Sequence, residues 1–394
     1  MRRCLVVLLL CIGEAWSQDW ADRAEYDLAL TVRSESSPLA RLVLLDEWKQ
    51  RYPRSQAQRL ARELALDAAQ QLGDRARILA AARELVAQDP GHYAAAYWIT
   101  ILSPGAPAGG AASLREAGQA ARTLLAGVGG WPRQKAEISA AARRTLGWLA
   151  WQKGDTGEAA TEFAACLTAV PRHAEVSAWY GAVLTASKTP SKVVEGIWHL
   201  ARASYLDGEG ALSAAPRRQV LGLLEAAYGA YHGGNDGLDA IGISAARAQD
   251  AAAPPAAFRI ETAAEAAQRK ADEEMAANQP HLWSWVKTRR QLAGPDGMAV
   301  YEKLAGADSP LLPEWKGWVI RCDKDRRATQ VVLGLQDTVT EEVVVQLESP
   351  AARCPDPGLA LEFAGKPVAF TAEPFRLTVT VPLGGLRGWP EARP

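Results

Sequence analysis

The chain has 394 residues, 48% of them hydrophobic and 23% charged, with a formal net charge of −1. That length allows two or three globular units at roughly 100–200 residues each. The balanced charge excludes a global field that would draw in nucleic acid or an anionic membrane.

The first element reads as an export signal. Met1-Arg2-Arg3 is a short basic start, and Cys4 to Gly13 is an apolar run too short to span a bilayer. Ala15-Trp16-Ser17 then sets small residues before a cut ahead of Gln18. Residues 1–17 are therefore expected to be a cleaved signal peptide, which places the mature protein in the periplasm or outside the cell. The alternatives are an uncleaved anchor, a buried N-terminal helix, or a lipid on Cys11. Leu8-Leu9-Leu10 lacks the small residue that usually precedes a lipidated Cys. No later stretch is long and apolar enough to span a membrane, so a soluble mature protein is expected.

Residues 18–250 carry helical signals in pairs. A first pair or N-terminal cap is expected over about 20–52, with Trp48 and Tyr52-Pro53 near its end. Gly73-Asp74 and Asp89-Pro90 punctuate a unit at about 55–90. A looser unit runs from Tyr93 to Leu125, with the Pro- and Gly-rich Ser103–Gly110 stretch as an enlarged turn. The segment 140–173 contains Leu146-Gly147, Ala150, Gly154-Asp155, Ala159, Phe163, Cys166 and Pro171. Gly181 and Trp198 mark the next unit. A fifth pair follows Pro216, with Tyr228 and Tyr231 before the turn His232–Gly237 and a second helix from about Leu238 to Ala248.

The 140–173 pattern resembles the tetratricopeptide motif, a pair of antiparallel helices of about 34 residues. The resemblance covers roughly 20–250. It implies that Leu146 and Phe163 fill the space between two helices, and that Gly147 and Ala159 are small where backbones meet. Gly154 ends the first helix in a left-handed conformation, and Pro171 stops the second. Arg143 stands where the motif has Trp, and Ala150 where it has Tyr. One such pair cannot bury its apolar face alone, so several stack into an α-solenoid with a curved inner surface.

Ala251-Ala252-Ala253-Pro254-Pro255 breaks the pattern. Residues 251–312 then read as a helical cap or linker, with Thr262 capping a helix from Ala263 to Ala277. Further helices are expected over His281–Leu292, which holds Trp283 and Trp285, and near Gly297–Leu304. Within 313–394 the period becomes alternating. Five strands are expected: Gly317–Cys322, Thr329–Leu335, Glu342–Leu347, Leu359–Ala364 and Phe375–Val381. Short strands of this kind suggest a small antiparallel β-barrel or sandwich, OB-like or SH3-like.

Candidate chemistry is sparse. The five His (His92, His173, His199, His232, His281) show no metal-ligand spacing. No phosphate loop, dinucleotide fingerprint or nucleophile elbow is present. No cofactor, metal or enzymatic activity is expected. The turn Gly233–Asp239 has Asn235, Asp236 and Asp239 but lacks the ligand pattern of a calcium loop. The charged run Arg321–Arg327 reads as a solvated turn. Cys166 reads as a small core residue. Cys322 and Cys354 would pair in an oxidising compartment if their Cα atoms lie within bridging distance.

The aromatic residues are more informative, with 14 Trp in the chain. In the repeat register, Trp148 and Trp151 sit one turn apart on a first helix. Tyr97, Trp98, Arg144 and Trp179 fall at or beside similar positions. The resemblance implies that these face the concave groove, and Trp, Tyr and Arg are enriched in binding hot spots. Packing between adjacent repeats is the alternative. The family's charged clamp for C-terminal carboxylates is absent, because Trp148 replaces one of its polar residues. The expected function is therefore an exported, non-enzymatic scaffold binding a protein or peptide, with no nucleic-acid partner. The alternative is a carbohydrate-binding or enzyme-accessory role for the β-domain, through Trp315, Trp318 or Trp389.

Overall fold

A computed structural model describes residues 20–104, 111–130, 133–306 and 314–390. The expected signal peptide, residues 1–17, and most of the enlarged 103–110 turn lie outside them. The chain divides into two compact units, the first ending at Glu261 and the second beginning at Thr262. The expected cap or linker is thereby split: 251–261 go with the first unit, and the helices after Thr262 go with the second. No helix among the described residues is long and apolar enough to cross a membrane.

Among the described residues, the first unit is a run of twelve α-helices. They are α1 (Arg23–Ser34), α2 (Pro38–Arg51), α3 (Gln58–Leu72), α4 (Arg75–Gln88), α5 (Tyr93–Leu102) and α6 (Ala111–Gly127). Then come α7 (Lys135–Gln152), α8 (Thr156–Ala169), α9 (Ala174–Thr185), α10 (Pro190–Tyr205), α11 (Ala214–His232) and α12 (Leu238–Arg247). Local chemistry sets their ends. Gly73 closes α3 at φ 68, and the next residue, Asp74, accepts from the N–H groups of Ala76 and Arg77 to open α4. The same device recurs with Gly154 at φ 81 and Asp155, which accepts from Glu158 N–H. Apolar clusters follow one another along the chain, spanning α1–α3, α3–α7, α7–α9 and α9–α12.

Close backbone approach requires glycine at two interfaces. A Cβ on Gly147 would lie 2.6 Å from Phe163, whose ring is fully buried and contributes about 1.5–3 kcal/mol by leaving water. A Cβ on Gly181 would lie 2.8 Å from the Gly196 carbonyl, so α9 and α10 touch through their backbones. Leu146 departs from its expected place between α7 and α8. It packs with the preceding cluster instead.

The second unit opens with α13 (Ala263–Asn278), capped reciprocally by Thr262 and Glu265, then α14 (Pro280–Ala293) and α15 (Gly297–Ala305). Seven strands follow among the described residues: β1 (Trp315–Cys322), β2 (Arg326–Gly334), β3 (Val343–Arg353), β4 (Ala360–Phe363), β5 (Lys366–Ala372), β6 (Phe375–Val381) and β7 (Leu386–Arg387). They form one curled sheet in the order β5-β6-β3-β2-β1-β4-β7. This corrects the expected antiparallel barrel or sandwich. There are two more strands than expected, and β3 pairs with β6 in parallel. The sheet stays open, with β5 and β7 as its edges. β5 was not among the expected strands, and it accommodates Pro367 because it lies at the sheet edge.

The core of this unit lies on one sheet face. It collects Val319, Val331, Leu333, Val343, Val345, Leu361, Leu377 and Val379 with Trp285 of α14. Trp285 meets Trp315 edge-on at 5.1 Å, so α14 is part of the core rather than a linker. Glu342 is buried and accepts from five donors. They are Trp285 Nε1, Arg289 Nη1, the N–H groups of Leu335 and Gln336, and Gln336 Nε2. Cys322 and Cys354 form a disulfide, with Cα atoms 6.0 Å apart.

Candidate peptide-binding face

The six candidate groove residues sit on the first helices of three successive pairs: Tyr97 and Trp98 on α5, Arg144, Trp148 and Trp151 on α7, Trp179 on α9. These helices adjoin in series, α5 against α7, α7 against α9, and α9 against α11. Thr145 ties two of them by donating to the Thr100 carbonyl at 2.8 Å. His92 opens α5, its Nδ1 accepting from Ala95 N–H at 3.2 Å.

All six side chains are partly buried. Tyr97 and Trp98 meet edge-on at 5.8 Å and pack on the α3–α7 cluster. Trp151 and Trp179 pack on the α7–α9 cluster, flanking Phe163 at 6.5 and 5.9 Å. The structure distributes the rings over two adjacent clusters, with Trp148 between them in sequence and part of neither. Arg144 lies over the Trp179 ring at 5.3 Å and pairs with Glu175 at 2.7 Å, so its charge is already matched.

The titratable groups near this face serve packing. Cys166 is fully buried and donates to the Ala140 carbonyl at 3.2 Å. Burial pushes its thiol up to about 12, which removes it from thiolate chemistry at neutral pH. His173 is held down to about 4, first by burial and then by Arg144 and Arg202.

Sequence reasoning missed a polar cluster behind α9. Arg202 is 1% exposed. Its Nη1 donates to Ser177 Oγ at 2.7 Å, and its Nη2 to the carbonyls of Pro171 and Gln249. These partners lie 25 to 47 residues away in sequence, so no local signal could announce them. His199 is fully buried beside it, 4.5 Å from the Tyr180 ring and 4.8 Å from that of Trp198.

In the sheet unit the candidate tryptophans separate. Trp315 is 1% exposed and donates to Ser284 Oγ, so it is a core residue and not a ligand platform. Trp389 packs partly against the same core. Trp318 points to the opposite face. In the charged turn, Asp323 accepts from Thr329 Oγ1 and from the N–H groups of Thr329 and Gln330, which shapes the hairpin. No group of three or more His, Cys, Asp or Glu among the described residues is arranged to hold a metal ion.

No family model and no curated protein matches this chain.

Proposed function

We propose that the first unit is a tetratricopeptide-like solenoid that binds a protein or peptide segment through its row of first helices, as a non-enzymatic scaffold in an exported protein. The observation that carries this reading is Trp148. It is a large aromatic on α7, partly exposed, one turn from Trp151, and absorbed by neither neighbouring apolar cluster. Partly exposed aromatics over a series of adjoining helices suit an extended or helical segment laid across them. The matched Arg144–Glu175 pair favours a segment held by apolar contact over one held by a terminal carboxylate. Export is supported by the Cys322–Cys354 bond, since such bonds persist mainly in oxidising compartments.

The test is a crosslinking pull-down from the native envelope fraction with wild type and the Trp148→Ala/Trp151→Ala variant. A protein captured by wild type and lost in the variant, with the helical circular dichroism unchanged, supports the reading. Equal capture by both removes these first helices from the account.

A further inference from the structure

We propose that the second unit binds a compact phosphate dianion between Arg326 and Arg353, at the end of the sheet where the β1–β2 hairpin turns. The two arginines stand directly opposite each other on β2 and β3. They share a face with the next pair in register, Ala328 and Ala351. Both alanines are buried, and Ala351 belongs to the sheet core. The arginines therefore sit where the core stops, and both are exposed. Like charges directly opposite on neighbouring strands repel. Among the described residues neither guanidinium makes a side-chain hydrogen bond or an ion pair, so nothing within them relieves that repulsion.

The backbone under the pair is fastened. Cys354 follows Arg353 and is bonded to Cys322 on β1. Its N–H donates to the carbonyl of Asp325, the residue before Arg326, at 2.9 Å. The strand ends that carry the two side chains are thus in place before a ligand arrives, which lowers the ordering needed on binding.

The surrounding charges select a compact ligand over an extended one. Lys324 and Arg327 are exposed in the same turn, but so are Asp323 and Asp325, and Glu348 and Asp356 are exposed nearby in the chain. Asp323 is engaged by Thr329 and Gln330, and none of these four carboxylates pairs with either arginine. The turn therefore has no broad positive field for a polyanion. Cations farther out do not extend the site. Arg321 and Arg376 pair with Glu341, and Arg387 with Glu314. Lys366 stands opposite Thr380, whose neighbour on β3 is Gln346, well back from Arg353. Two facing guanidinium forks with no partner of their own match the several oxygens and double charge of one phosphate group. A carboxylate would neutralise only one of them.

The experiment is calorimetry on the intact chain with inorganic phosphate, and sedimentation with phosphatidylcholine vesicles with and without phosphatidic acid, both at low ionic strength. Wild type binds phosphate, and Arg326→Gln and Arg353→Gln each weaken it about tenfold, the worth of one charge-assisted hydrogen bond. Arg353→Lys, which keeps the charge and loses the fork, falls between them and wild type. Lys366→Gln binds like wild type. The arginines are exposed, and each variant carries the test if the other fails to fold. Capture by phosphatidic acid vesicles that Arg353→Gln abolishes identifies a lipid headgroup as the source of the phosphate. Phosphate binding without vesicle capture identifies a free phosphate compound. No binding of phosphate at about 10 mM, binding unchanged in both arginine variants, or equal weakening by Lys366→Gln would overturn the proposal.

Discussion

Acid should loosen the helical unit through His199. The imidazole is fully buried between Tyr180 and Trp198, and neither ring nitrogen has a hydrogen-bond partner. Burial, reinforced by Arg202, lowers its pKa from 6.5 to about 3. Glu195 of the same helix comes only to 3.9 Å, and Tyr180 OH, donating to it at 3.1 Å, is the nearest titratable group from α9. Because the folded pKa is depressed, the unfolded chain binds more protons between these two values. Stability is therefore full above the unfolded pKa, falls as the pH drops through it, and levels off below the folded one. At about pH 5 the loss from His199 is about 2 kcal/mol, and His173 adds a similar amount. A combined loss of about 4 kcal/mol is a large part of the 5–15 kcal/mol typical of a domain. The assay is urea unfolding followed by circular dichroism at about pH 7.5 and pH 5, for wild type and His199→Phe. The variant should lose about 2 kcal/mol less than wild type on acidification. An identical loss in both would show that the buried ring is not the proton acceptor.

Other perturbations follow from the packing. Gly147→Ala puts a methyl group 2.6 Å from Phe163 and should cost about 1–3 kcal/mol, visible as a lower Tm without loss of helix content. Glu342→Ala strands Trp285 Nε1 and two backbone N–H groups, and should destabilise the sheet unit by about 3–5 kcal/mol in denaturant unfolding. Reducing the Cys322–Cys354 bond, which closes a 32-residue separation, should lower stability by about 4 kcal/mol, measured by unfolding with and without reductant.

The parts of this fold legible in the sequence were those set by neighbouring residues. Gly154 ends a helix in the left-handed conformation as read, and Gly73-Asp74, read as punctuation, closes one helix and opens the next within two positions. The Val-rich alternation located five of the strands. What needed distant partners was hidden. The parallel pairing of β3 with β6 joins segments about thirty residues apart, and nothing in Val343–Leu347 encodes a parallel neighbour. Trp285 was placed in a helical cap or linker, and its contact with the sheet was hidden because its partner, Trp315, is contributed by a strand beyond the next helix. The expected strand began at Gly317, so nothing in the sequence marked Trp315 as a core residue; its burial comes from α14 and the strands around it. The same limit applies to the candidate groove: spacing placed Trp148 and Trp151 on one helix, while the turning of Leu146 to the preceding cluster depends on how α5 and α6 abut α7.

The open sheet has a further consequence. Unpaired strand edges invite another chain to add a strand, and a half-closed sheet has two of them. Here one edge is β7, only two residues long. The other is β5, which begins Lys366-Pro367 and carries an irregularity in its pairing between Pro367 and Ala369. A charge, a missing N–H and a bulge are three separate obstacles to edge-to-edge growth. The unit can thus leave its curl unclosed and still resist edge-to-edge polymerising.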